Sequence, residues 1–252
     1  MTYLWLCLAA LAAGVINSIA GGGTLLTFPT LLSIMDGVHA NGTSTLALVP
    51  GSMAAAWGFR REVKESRRWL ALLALPCMLG GLVGTLLVTR SDPRIFEALI
   101  PWLILTAAIL FLIQPLIIRF TGVGKPHAHP SRLAIVGIVL FQFLVAVYGG
   151  YFGAGIGILM ISSLSFIGVG DIHRVNALKT LLASFINGVS AITWATEGKV
   201  EWKYALIMAV VSILGGFLGA HYSRRLNKTL VRWVVIAIGF GLAGFYFYQQ
   251  WK

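Results

Sequence analysis

Charge is missing from two long stretches of this chain. No Asp, Glu, Lys or Arg stands at residues 1–35, and none at residues 133–170. Uncharged apolar runs of 18 or more residues are candidates to cross a bilayer, which excludes an ordinary soluble domain. Acidic residues are scarce throughout, 8 against 19 Lys and Arg, and no pair of carboxylates lies within an apolar run. That argues against a membrane cation or metal carrier, which needs ionisable groups inside the membrane. The two cysteines, Cys7 and Cys77, both stand in apolar segments. They supply no disulfide framework and read as free thiols at helix interfaces. No Gly-x4-Gly-Lys-Ser/Thr loop, His-Glu-x-x-His pair or nucleophile elbow occurs, so neither an ATP motor nor an enzyme, nor any cofactor, is expected.

What the chain does have is hydrophobic bulk. Apolar residues make up 58% and charged residues 11%, with a mean hydropathy of +0.87. The net charge of +11 would suggest nucleic acid in a soluble chain. Here the basic residues crowd into a few short loops, so orientation in a membrane explains them and no nucleic-acid partner is expected. Residues 1–23 resemble a secretory signal but lack a positive start, and their pattern recurs near residue 140. They are read as structure.

The recurrence is general. Shifted by 134 residues, Ala20, Gly21, Gly23 and Leu25 fall on Ala154, Gly155, Gly157 and Leu159, and His39 falls on His173. Shifted by 135, Asn41, Thr45, Leu46, Gly80, Gly81, Gly84 and Arg90 fall on Asn176, Thr180, Leu181, Gly215, Gly216, Gly219 and Arg225. The expected organisation is one polytopic domain over 1–252 with two homologous halves. These cover about 1–120 and 130–252, joined by a Gly- and Pro-containing linker at about 119–132.

Each half reads as a long apolar segment, 3–35 or 133–170, followed by three ordinary ones. The latter are 42–59, 69–89 and 97–118, then 175–195, 203–222 and 229–250. At about 1.5 Å per residue, 33 residues of helix reach roughly 50 Å, well beyond a hydrocarbon core of roughly 30 Å. The long segments are therefore expected to fold back as hairpins broken at their glycines, with arms of about 15 residues. With hairpins, 13 Lys and Arg lie on the side of Arg60 against five opposite; with single crossings the division is 11 to seven. The positive-inside rule favours hairpins. Three crossings per half then make the repeats inverted. The expected fold is an all-α integral membrane protein of two inverted repeats, each a glycine-broken hairpin plus three transmembrane helices.

A matched pair of broken segments is the best sequence pointer to a carrier's site. Gly21, Gly22 and Gly23 with Thr24 form one break; Gly153 and Gly155 belong to the other. A helix that restarts after a break aims backbone N–H groups and partial positive charge at an anion. Lys179, one turn inside an apolar segment, would give the site its sign, because an ammonium at that depth is costly unless paired or hydrated. Its repeat counterpart is Ser44. Thr43, Ser44, Asn176 and Thr180 would orient the substrate; Asn17, Ser18, Thr45 and Asn187 mark the same polar centre. Blander readings stand beside these: snorkelling for Lys179, and close helix packing for the glycines. Packing is the expected role of Gly80, Gly81, Gly84 and their counterparts. Asp36 with His39, and Asp171 with His173, resemble proton-handling pairs but sit at segment ends. His127 and His129 are too few to hold a metal.

The run Ile19-Ala20-Gly21-Gly22-Gly23-Thr24-Leu25-Leu26-Thr27-Phe28-Pro29 resembles the first-repeat signature of the TauE/SafE sulfite exporter family. Asn176-Ala177-Leu178-Lys179, Gly198-Lys199-Val200-Glu201-Trp202 and Gly215-Gly216-Phe217-Leu218-Gly219-Ala220 resemble its second half. The resemblance spans nearly the whole chain. It implies a bacterial inner-membrane carrier for sulfite, organosulfonates or related anions, working in export by alternating access and coupled to an ion such as H⁺. Gly153-Ala154-Gly155-Ile156-Gly157 is less glycine-rich than in many relatives, and Gly42-Thr43-Ser44-Thr45 stands where some carry Asn-Lys. Substrate follows from the site rather than the fold, so the anion is left unnamed. A channel and a membrane-embedded enzyme are the alternatives.

Overall fold

The computed structural model describes residues 1–19, 21–121, 131–165, 172–222 and 227–251. Among them the chain is helical: α1 (Thr2–Ile19), α2 (Thr24–Leu32), α3 (Gly37–Gly58), α4 (Arg60–Glu65), α5 (Arg67–Thr89), α6 (Pro93–Thr121), α7 (Arg132–Tyr151), α8 (Ile156–Ser165), α9 (Ile172–Thr196), α10 (Trp202–Tyr222) and α11 (Lys228–Gln250). Most of the expected linker, including His127 and His129, lies outside the described residues. So do Asp171, Arg225 and the side chain of His173.

Both long apolar segments break at their glycines. The first stops at Ile19 and restarts at Thr24; the second stops at Tyr151 and restarts at Ile156. The arms are unequal, 18 and nine residues in the first hairpin, 20 and 10 in the second. The break falls late because it is set by the glycines and not by the midpoint of the hydrophobic run. Gly21, Gly153 and Gly155 hold positive φ of 74°, 84° and 79°, a left-handed backbone that a side chain disfavours.

Among the described residues six helices are long and apolar enough to cross a membrane: α5, α6, α7, α9, α10 and α11. The expected first ordinary span, α3, is not among them. It carries Asn41, Thr43, Ser44, Thr45 and Ser52, and buries 13 of its residues against other helices. Most of its length is covered by protein, which lets it carry these polar groups at membrane depth.

Helix pairing is reciprocal between the halves. Helix α1 packs on α10 as α7 packs on α5, while α3 meets α10 as α9 meets α5. These seams are lined with glycine. A Cβ on Gly80 would come 2.7 Å from the Cβ of Ala146, one on Gly81 would come 3.1 Å from the Ile186 carbonyl oxygen, and one on Gly216 would fall on the carbonyl oxygen of Gly51. Small residues here let backbones approach closely, where dispersion and weak polar contacts hold helices in lipid.

The same contacts give direction. Tyr3 of α1 lies 6.0 Å from Tyr204, and Thr43 of α3 accepts a 3.0 Å hydrogen bond from the Glu201 amide. The α1–α2 hairpin therefore opens at the end of the bundle where α10 begins. At the opposite end Arg174 of α9 pairs with Glu65 at 2.6 Å. Helix α5 starts at that end and α7 runs parallel to it, Gly80 facing Ala146 and Gly84 facing Val147, with Gln142 Nε2 donating to Cys77 Sγ at 3.5 Å midway along. The two hairpins thus enter from opposite ends. Cys7 and Cys77 are free thiols.

Asp36 serves α3 as its N-cap, accepting from the Val38 and His39 amides, with its other oxygen 2.7 Å from His39 Nδ1. Partial burial alone would raise this carboxyl, but hydrogen bonds and charge from His39, with the Val38 amide, hold it below the ordinary aspartate value. The folded value is depressed, so the cap stabilises at neutral pH and is lost only as pH falls through the acidic range.

Candidate functional site

The two breaks meet. A Cβ on Gly21 would lie 2.9 Å from the Cα of Gly157, so the hairpin tips touch backbone to backbone. Beside that contact is a small cavity of about 20 Å³, lined by Asn17, Gly21, Thr24, Ser52, Gly153, Ile156, Gly157, Lys179, Thr180, Ala183 and Asn187. That is room for about one water. Helices α1, α2 and α3 supply the lining from the first half, α8 and α9 from the second.

Each tip is held by its own hairpin and by the other. Asn17 Oδ1 accepts from the Gly23 amide at 2.8 Å, satisfying a donor that the broken helix leaves open. In the second hairpin the Tyr148 hydroxyl donates to the Ala154 carbonyl at 2.8 Å. Across the halves, Asn41 Nδ2 donates to the Tyr151 carbonyl at 2.9 Å. Phe28 of α2 stacks edge-on against Phe152 at 5.2 Å between ring centroids. Such an aromatic pair contributes about 0.5–1.5 kcal/mol beyond its buried area.

Lys179 is 1% exposed and ranks among the largest fully buried side chains. Its side chain does not extend to the outer surface of the bundle, which argues against snorkelling. The cavity lining contains Lys179 and, among the described residues, no carboxylate. Thr180 is 3% exposed, and its Oγ1 has no hydrogen-bond partner among the described residues. The Oδ1 atoms of Asn41 and Asn176 are likewise buried without one. Buried polar atoms are normally satisfied, so a cavity with an unused hydroxyl and a cation is built to meet something polar.

The residues expected at the site divide. Gly21, Thr24, Gly153, Lys179 and Thr180 line the cavity together. Gly22 and Gly23 shape the first tip, a Cβ there meeting the Phe111 ring and the Ala13 carbonyl respectively. Gly155 packs beside Ala107 and Leu110 of α6. Thr43 is turned to the Glu201 amide, and Ser44 shares a 2.6 Å hydrogen bond with Thr27. Neither belongs to the lining, and nor does Asn176. Ser52 was missed by sequence reasoning, yet a signal for it exists: a shift of 135 carries it onto Asn187, which lines the same cavity.

Comparison with known proteins places this geometry. Residues 6–246 match the sequence model of the family described as sulfite exporter TauE/SafE. A "Probable membrane transporter protein" of Haemophilus influenzae is 31% identical over 240 residues, covering 94% of this chain and 91% of that one. The "Probable membrane transporter protein ORF9" of a Sinorhizobium species is 27% identical, covering 95% and 90%. The "Probable membrane transporter protein YfcA" of Escherichia coli K12 is 28% identical, covering 91% and 83%. With the match running from α1 to α11 and two glycine-broken hairpins at its centre, the chain belongs to the sulfite exporter TauE/SafE family.

Proposed function

We propose that this multi-pass membrane transporter moves a small sulfur-containing anion, sulfite or an organosulfonate, across a bacterial inner membrane by alternating access. The observation that carries the reading is Lys179, buried at a cavity whose lining, among the described residues, brings its cation together with the hydroxyls of Thr24, Ser52 and Thr180 and the amides of Asn17 and Asn187. An ammonium in such surroundings is stabilised by an arriving anion. The helix restarts at the two tips add partial positive charge of the same sign. The reciprocal packing supports two inverted repeats of about 1–120 and 130–252, whose hairpins part to load and unload the site. Export is the direction the family name suggests, and an ion such as H⁺ is the proposed coupling ion.

The cavity's 20 Å³ holds about one water, and sulfite carries three oxygens on sulfur. Loading therefore requires the contact between Gly21 and Gly157 to open. This favours a carrier over a continuous pore, and counterflow of labelled against unlabelled substrate separates the two.

The direct test is thermal stability with sulfite, thiosulfate, sulfoacetate and taurine. A ligand that binds the folded state adds RT ln(1 + [L]/Kd), about 2.7 kcal/mol at 100-fold its Kd. The expected result is an upward shift of the melting transition with at least one sulfur anion. No shift with any of them, alongside a shift with a cation, would overturn the reading.

Asn17→Asp makes a second prediction. The carboxylate keeps the acceptor for the Gly23 amide but puts a negative charge into the lining that holds Lys179. Anion affinity is expected to fall by about tenfold, or about 1.4 kcal/mol, with the fold intact. Asn17→Ala loses the acceptor without adding charge and should weaken anion binding less. Equal affinities for the two variants, measured by substrate titration, would show that charge at this tip does not matter.

A further inference from the structure

At the end of the bundle where Glu65 meets Arg174, a crevice of about 330 Å³ opens between α3, α4 and α9. It is lined by Met53, Ala56, Trp57, Arg60, Lys64 and Leu181. Its floor is aliphatic and its rim cationic. Met53 and Trp57 are 60% and 69% exposed, on a helix that otherwise buries most of its length against protein. The Arg60 guanidinium lies 5.7 Å from the centroid of the Trp57 ring and donates to the Trp57 carbonyl at 3.4 Å, which keeps that cation beside the crevice mouth. Among the described residues no carboxylate belongs to the lining, and Glu65, the acid next to Lys64, is engaged by Arg174 at 2.6 Å.

We propose that this crevice binds an anionic glycerophospholipid, its phosphate between Arg60 and Lys64 and part of one acyl chain along Met53, Ala56 and Leu181. Two cations with no acid among the lining residues select a negative headgroup over a zwitterionic one. A tryptophan at the junction of apolar floor and charged rim fits the headgroup level of a membrane. The apolar floor distinguishes the occupant from a soluble anion, because only an amphiphile satisfies both surfaces at once. This site is separate from the central cavity; the two share no lining residue.

The test is native mass spectrometry of the purified full chain, released from detergent after incubation with phosphatidylglycerol or phosphatidylcholine. The expected result is retention of phosphatidylglycerol in preference to phosphatidylcholine. Each basic residue near a membrane surface contributes about fivefold in affinity, so Arg60→Gln and Lys64→Gln should each lower retention about fivefold and the double variant about 25-fold. Both are surface substitutions, and the thermal transition in phosphatidylcholine should stay where it is. Arg94→Gln, in the first turn of α6 and outside this crevice, should retain the lipid as the unmodified protein does. Equal retention of the two lipids, unchanged retention in the double variant, or displacement of phosphatidylglycerol by equimolar glycerol phosphate would each overturn the proposal. Transport is not the readout, so failure of the anion reading would leave this result standing.

Discussion

Lys179→Met is expected to lower sulfite or sulfonate flux into proteoliposomes by about 30-fold or more at equal folded fraction. Removing one partner of a buried charge–anion contact costs about 2–5 kcal/mol in binding, and 2 kcal/mol is already about 30-fold. Lys179 is 1% exposed, and methionine is unbranched and apolar, of similar reach, so the substitution removes the charge with little change in volume. Flux is compared at equal folded fraction, where a purely structural lysine would show no loss. Lys179→Arg sharpens the point: the cavity of about 20 Å³ gives little room for a larger planar cation, so charge alone should not restore full flux. Unchanged flux in Lys179→Met would remove Lys179 from the site.

Most of the architecture was legible because it rests on periodicities that a sequence cannot hide. Charge-free runs longer than a bilayer is thick must fold back or tilt, and glycine at fixed offsets says where. The breaks at Gly21 and Gly153–Gly155 follow directly. Helix α3 was harder. Its polar residues read as substrate groups from the sequence, yet Thr43 holds the start of α10 and Ser44 holds Thr27 of α2. On the protein-covered part of a helix, a hydroxyl faces either a cavity or a neighbour, and only the rotation of the helix decides which. Ser52 shows the same limit in reverse, and Asn17, read only as marking the polar centre, turns out to hold the tip as well. Asn17 Oδ1 engages the Gly23 amide six residues on, a contact that exists only once the helix has broken between them.

The glycines separate two physical costs that usually come together, and four alanine substitutions read them apart. Gly241 has open space around it and lies within α11. Gly241→Ala should therefore gain a few tenths of a kcal/mol, up to about 1, from helix propensity. Gly198 also has open space but sits at a φ of +68°, so alanine there meets only the left-handed penalty, about 1 kcal/mol. Gly216 has no such φ, but its Cβ would fall on the Gly51 carbonyl oxygen. Backbone cannot move aside as a side chain end can, and overpacking of this kind costs about 1–3 kcal/mol or more. Gly21 combines both, with a φ of +74° and a Cβ 2.9 Å from the Gly157 Cα. The melting temperatures in micelles should fall in the order Gly241→Ala, Gly198→Ala, then Gly216→Ala and Gly21→Ala. The last two should diverge in function: Gly216→Ala strains the seam between α3 and α10, whereas Gly21→Ala pushes the hairpin tips apart beside the cavity. Gly21→Ala is therefore expected to lose flux beyond what its stability explains, by tenfold or so relative to Gly216→Ala at equal folded fraction (about 1.4 kcal/mol). Matching losses in the two variants would mean that the tip-to-tip contact is packing and nothing more.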